Sequence, residues 1–176
     1  RDGILHDRVY TQMIEKLLRE PMSDMSAADQ LVAVAIPRKA HHVTFLRDGD
    51  LSLSAQMPPI YLQYREKFDQ VRDELAAELA PHSVHTIRRV PMKALAASLG
   101  LVRYGRNNIA YAEGLGSYIQ LCIFRTTAPL PAGQTLQVPQ RLAQCESCKR
   151  CVKACPTKAI DEERDVIRVE RCVTWF

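Results

Sequence analysis

An α/β (α+β) domain followed by a small C-terminal cysteine module is the fold class that the sequence predicts, on three observations. Up to about residue 127, short apolar runs of strand type are interspersed with amphipathic, helix-type stretches. From Thr126 to Pro139 the pattern stops, giving way to Pro129, Pro131, Gly133 and Pro139 with no period. Beyond that break, Cys145, Cys148, Cys151 and Cys155 fall within eleven residues, and Pro156 follows at once. The expected division is an α/β domain over 1–127, a linker over 128–139 and the cysteine module over 140–176.

The spacing of the four thiols, C-x2-C-x2-C-x3-C-P, is the ligand run of a bacterial-type [4Fe–4S] site, so the module is expected to be ferredoxin-like and to bind iron and sulfide. Three cysteines two residues apart can wrap a short loop around one cubane, each thiolate reaching a different iron. The fourth points away and, in two-cluster proteins, serves the other cluster. Pro156 suits a chain that must turn away after its last ligand, because it fixes φ and offers no N–H. Zinc prefers two separated pairs or mixtures with histidine, and no second pair or suitably spaced histidines follow.

Composition agrees with a folded, non-membrane protein. Apolar residues make up 47% and charged residues 25% of the 176 positions, which are globular values. The net charge of +4 is mild, compatible with an anionic or nucleic-acid partner but also with a solvated surface. Leu31 to Ile36 is the longest purely apolar run, far short of the roughly 20 residues a membrane helix needs. Clustered cysteines of metal type favour a reducing compartment, and the cytoplasm is expected.

Taken in order, residues 4 to 19 carry Leu5, Val9, Met13, Ile14, Leu17 and Leu18 on one stripe of an expected helix, closed before Pro21. Leu31 to Ile36, ended by Pro37, predicts a strand covered on both faces. Arg38 to Pro59, with His41, His42 and Asp48-Gly49-Asp50, is expected to be a loop of solvated polar residues. Tyr61, Tyr64, Phe68, Val71, Leu75 and Leu79 predict a helix over 59–79, ended before Pro81. A short strand is expected within 82–90. A helix should then open at Pro91 and stop at Gly100. Residues 101–108 hold Arg103, Gly105, Arg106, Asn107 and Asn108, a loop of backbone N–H groups and guanidinium forks suited to an anionic or amide-rich ligand, or else a surface turn. Ile109 to Tyr111 and Tyr118 to Phe124 are expected to pair as a hairpin, with Cys122 a buried small side chain. After the cysteine run, a short strand is expected over 166–169, then Cys172.

With those pieces in place the chain resembles the epoxyqueuosine reductases and their relatives with a double [4Fe–4S] cluster domain, among them the reductive dehalogenases. The resemblance runs from about Leu31 to Phe176. It rests on Gly100 to Asn107, on Gly116-Ser117, on the cysteine run with Pro156-Thr157, and on Glu170 to Thr174. It implies a corrinoid (cobalamin) near Gly105, Arg106 and Asn107, beside two clusters. Cys145, Cys148 and Cys151 would hold the nearer cluster, with its fourth ligand from a later cysteine. Cys155 and Cys172 would belong to the second. No later cysteine run is present, so the chain is expected to be a fragment with further ligands beyond Phe176.

One departure bears on the substrate. These enzymes carry an aspartate, the proposed proton donor, shortly before the helix that leads into the loop. Here His85 to Arg89 contains no carboxylate. That puts tRNA, which the resemblance implies as a substrate, in doubt without removing it, and points to a side branch of the family with a small-molecule or nucleotide-like substrate. His85 and Tyr104 are the candidates for supplying the proton. The function expected is an iron–sulfur oxidoreductase passing single electrons from its cluster to a bound corrinoid or substrate. Its donor would be soluble, of ferredoxin or flavodoxin type, docking on Lys149, Arg150, Lys153 and Lys158. The alternative is an electron-transfer protein, or a corrinoid-reducing activator with no substrate of its own.

Overall fold

Strand β7 (Ile119–Thr126) is the centre of the main sheet, and its composition explains the position. Leu121, Cys122, Ile123 and Phe124 are successive apolar residues, so both faces of the strand must be covered. In the computed structural model, which describes residues 25–26, 29–47, 49, 51–57, 64–87, 90–131, 136–164 and 166–173, they are. Strand β1 (Gln30–Pro37) runs antiparallel along β7 from Gln30 opposite Thr126 to Pro37 opposite Ile119. On the other side β4 (Val84–Thr86) pairs antiparallel, giving the order β1-β7-β4.

Alternation then sorts the side chains into two cores. Leu121 and Ile123, with Leu31, Ala33 and Ala35 of β1, pack under helix α2 (Met92–Ser98), whose Ala96 and Ala97 are small enough to let it lie close on the sheet. Cys122 and Phe124, with Val32, Val34 and Ile36, meet Leu75, Ala76 and Leu79 of helix α1 (Tyr64–Leu79). The sheet is a layer between two helices. Strand β1 is covered on both faces as its apolar run implied, although it is an edge strand of an antiparallel sheet.

The helix boundaries follow local chemistry. Helix α1 gives way to a tight turn over 80–82 that contains Pro81. Pro91 caps α2, and Gly100, at φ +76°, ends it with its N–H on the Ala97 carbonyl and that of Leu101 on Ala96. The stripe expected over 4–19 and the first residues of the helix expected from 59 lie outside the described residues.

Three expectations are corrected. Residues 38–59 are not a loop: β2 (His41–Arg47) and β3 (Leu51–Met57) form an antiparallel hairpin turning at Gly49, at φ +81°. His41 and His42 sit on its first strand. Leu51-Ser-Leu-Ser-Ala-Gln-Met57 alternates strictly in sequence, and Asp-Gly before it is a dipeptide that hairpin turns favour, so a period-2 signal was present. Neither core cluster includes the hairpin's apolar side chains, and Phe45 and Leu53 remain exposed. Second, β6 (Ala110–Ala112) does not pair with β7 but with β5 (Val102–Tyr104), because β7 is already flanked by β1 and β4. Third, 166–169 is no strand; a single 3-10 turn, Val169–Arg171, precedes Cys172.

Candidate metal centre

Pairing of β5 with β6 turns residues 105–109 into the connection of a short hairpin, anchored by buried Val102, Ala110 and Ala112. Within it the Gly105 N–H donates to the Ile109 carbonyl (2.8 Å) and that of Asn108 to Gly105 (2.9 Å). Asn108 takes φ +60°, a conformation asparagine tolerates better than most residues. Lys93 of α2 donates to the Asn108 carbonyl at 3.0 Å, and loss of water around its ammonium pushes the pKa below the ordinary lysine value.

The outer edge of β5 receives the cysteine module. Tyr104 donates its N–H to Gln140 (2.9 Å) and accepts from Leu142 (2.9 Å), a parallel bridge centred on Arg141. Two residues along, the Arg106 N–H donates to the sulfur of Cys145 at 3.4 Å. A backbone ladder thus ends on the first thiol of the run.

The three loop residues singled out from sequence are all engaged locally. A side-chain carbon on Gly105 would stand 2.4 Å from Asn107 Oδ1 and 2.7 Å from Tyr111 Cε2, so glycine is required by space alone. Asn107 is spent on the turn: its Oδ1 accepts from Ile109 (3.2 Å) and its Nδ2 donates to the Tyr111 hydroxyl (3.1 Å). Arg106 is 6% exposed and faces the cysteine module, donating from Nη1 to the Glu162 carbonyl (2.5 Å) and from Nη2 to that of Cys145 (3.4 Å). Ala at Gly105 forces the tyrosine ring and the asparagine apart. It is expected to destabilise the protein by about 2 kcal/mol, lowering Tm by roughly 5 °C in calorimetry.

Cys145 closes a 3-10 turn over Ala143–Cys145, Cys148 lies in the loop that follows, and Cys151 sits in helix α3 (Arg150–Ala154). Cys155 comes directly after α3. Its thiol is held down to about 7, against an ordinary 9.0, chiefly by the Ile160 N–H, then by the Thr157 hydroxyl and the Ala159 and Thr157 amides. A thiol surrounded by donors is prepared to be a thiolate, the form that binds iron. In metal-free protein, iodoacetamide labelling of Cys155 is expected to be half-maximal near pH 7 and to fall away below it. Mass spectrometry of the labelled peptide over a pH series checks this; a midpoint near 9 would remove the donor cradle.

Among the described residues, no three His, Cys, Asp or Glu side chains gather closely enough to hold a single metal ion. None of the six cysteines is in a disulfide. The donor chemistry fits an iron–sulfur cluster at Cys145, where the Arg106 N–H reaches sulfur.

The remaining candidates are dispersed. Cys122 is buried in β7, where burial pushes its thiol pKa up, remote in the fold from the run. Cys172 is half-buried after its 3-10 turn. His85 is exposed on β4, and Tyr104 is half-buried on β5 in another sheet, with burial raising its phenol pKa. Lys149 is ion-paired with Glu162, while Arg150, Lys153 and Lys158 are exposed. What linear reading missed is the seating of Gln140 and Leu142 on β5 and the turn of Arg106 toward the thiols. Neither leaves a periodic trace.

Comparison with known proteins agrees with this arrangement. Residues 138–176 match the 4Fe-4S dicluster domain. Over 83 residues the chain is 40% identical to epoxyqueuosine reductase of Synechococcus sp. (strain RCC307), covering 47% of this chain and 24% of that protein. Among solved structures, epoxyqueuosine reductase from Bacillus subtilis, captured with its catalytic loop swung out of the active site, is similar with a TM-score of 0.52. Its identity is 22%, over 82% of this chain and 39% of that one. The enzyme from Streptococcus thermophilus gives a TM-score of 0.51 at 18% identity, over 98% and 46%. At those identities the structures speak for the fold alone. The chain is similar to epoxyqueuosine reductases, spans less than half of each of them, and carries an iron–sulfur domain at its C-terminal end.

Proposed function

We propose that the chain is the cluster-bearing part of an iron–sulfur oxidoreductase similar to epoxyqueuosine reductase, passing single electrons to a bound corrinoid or to a substrate. The observation that carries this reading is the donation of the Arg106 backbone N–H to the sulfur of Cys145, the first thiol of a cluster-type cysteine run. When bound, a [4Fe–4S] cluster stores and releases one electron at a time. The chain's part is to hold Cys145, Cys148 and Cys151 as ligands of one cluster, with Cys155 and Cys172 belonging to a second. It also sets potential through N–H···S bonds and burial. Exposed Arg150, Lys153 and Lys158 offer a cationic face to an acidic soluble donor. Among the described residues no helix is long and apolar enough to cross a membrane, and labile clusters suit the cytoplasm.

Asn107 hydrogen-bonds within the turn, and Nη1 and Nη2 of Arg106 donate to the cysteine module, which leaves little of the loop's side chains to hold a corrinoid. That favours a second reading, an electron-transfer protein with no substrate of its own. Analysis of iron, sulfide and cobalt in the anaerobically purified full-length protein separates the two, with reduced-state EPR alongside. Iron and sulfide with stoichiometric cobalt supports a corrinoid-dependent reductase or a corrinoid-reducing activator, and iron without cobalt supports the carrier. A colourless, EPR-silent preparation overturns both. His85→Phe and Tyr104→Phe with unchanged turnover would remove those residues as proton donors.

A further inference from the structure

Among the described residues Arg106 is the one buried cation, it lies beside the cysteine run, and its surroundings do not neutralise it. Nη1 and Nη2 are satisfied by neutral carbonyls, of Glu162 and Cys145, and buried Nε has no hydrogen-bond partner. Among the described residues no carboxylate pairs with it; the nearest by sequence contact, that of Glu162, is taken by Lys149. An uncompensated buried guanidinium is costly, so such a charge persists where an anion completes it. A cubane held by thiolates is an anion, and it gains one further negative charge on reduction.

We infer that Arg106 is a positioning residue for the cluster at Cys145. It clamps the cysteine module to the β5–β6 turn and, through its buried charge and its N–H···S bond, raises the potential at which that cluster accepts an electron. The inference rests on the iron–sulfur reading above and adds a role within it. The clamp follows from geometry. Cys145 and Glu162 lie at opposite ends of the loop containing α3, and one guanidinium binds both, directly after the ladder from Tyr104 to Gln140 and Leu142. The effect on potential follows from sign. A fixed positive charge and a donated N–H both favour the more negative form of the sulfur cage, which is the reduced one. Lysine keeps the charge but loses the planar fork, whereas glutamine keeps hydrogen bonding and loses the charge.

The test uses wild-type, R106K and R106Q forms of the full-length protein, purified anaerobically. Each is titrated with dithionite in the presence of mediators and followed by reduced-state EPR. R106Q is expected to take up its one electron with an equilibrium constant about tenfold less favourable, a shift of about 59 mV to more negative potential for a one-electron couple. R106K should stay within about threefold of wild type. Equal potentials in R106Q and wild type overturn the inference, as does R106K shifting as far as R106Q. Should R106Q bind too little iron to titrate, R106K with wild-type iron content and potential supports the role of charge. Equal loss of iron in both variants shows packing alone and overturns it. A wild-type protein with no cluster sinks the iron–sulfur reading itself, and is seen before either variant is compared.

Discussion

Alanine at Cys145 is expected to reduce the iron and sulfide of the anaerobically purified protein to background, and to remove the reduced-state EPR signal. A cubane iron that loses its thiolate is left open to water and chelators, and the other sulfurs of the run cannot replace a ligand fixed by its own turn. Cys145 is fixed in that way: it ends a 3-10 turn, and its sulfur accepts the Arg106 N–H at 3.4 Å. Because cluster binding and folding of a small module are coupled, the variant should also expose the module to proteolysis. Cys122→Ala is the matched comparison, a thiol 2% exposed in the sheet. It should leave the iron content unchanged. Full iron in Cys145→Ala would assign the cluster to other ligands, and loss of iron in Cys122→Ala would show that the metal depends on the sheet as a whole.

Phe124→Ala should carry the largest cost in stability, about 3–5 kcal/mol, as for other fully buried aromatic truncations. Phe124 is 0% exposed and stands where β1, β4 and α1 meet on one face of β7, in one cluster with Val32, Val34, Ile36, Val84 and Leu75. Those side chains come from three elements held at fixed sheet spacing, so the cavity cannot close by a shift of any one of them. In a protein of this length Tm should fall by roughly 10 °C. Denaturant unfolding of the metal-loaded protein checks it. A loss below about 1 kcal/mol would mean that α1 collapses onto the sheet and that this face is loosely packed.

Much of the fold was legible because single residues or short periods dictate it. Proline and glycine bounded α1 and α2 through their own backbone restrictions. The apolar run of β1 announced a strand with two covered faces, and that of β7 announced a strand. Pairing was less legible. Residues 110–112 are too short to carry a register, and which partner they take depends on β7 having both neighbours already. The hairpin over 41–57 did show alternation, yet its apolar face joins neither core, so the usual link between pattern and burial was broken there. At the metal centre the contrast is sharper. The four cysteines were identifiable from spacing, since cluster geometry restricts how far apart ligands can lie along a chain. The partners of those sulfurs were not identifiable, because Arg106 and Cys145 are 39 residues apart and meet only when the module seats on β5.

The amino-acid order by itself determined an antiparallel-capable apolar strand pair, two helices with their stops, and a thiol run of cluster type, all of them set by interactions between residues near one another in the chain. Folding in three dimensions decided where that run attaches and what surrounds its sulfurs. It also turned a glycine–arginine–asparagine loop toward the thiols. Hydrogen bonds to sulfur and the field of a buried charge act over a few ångströms of space regardless of sequence distance, and only the packed chain sets those separations.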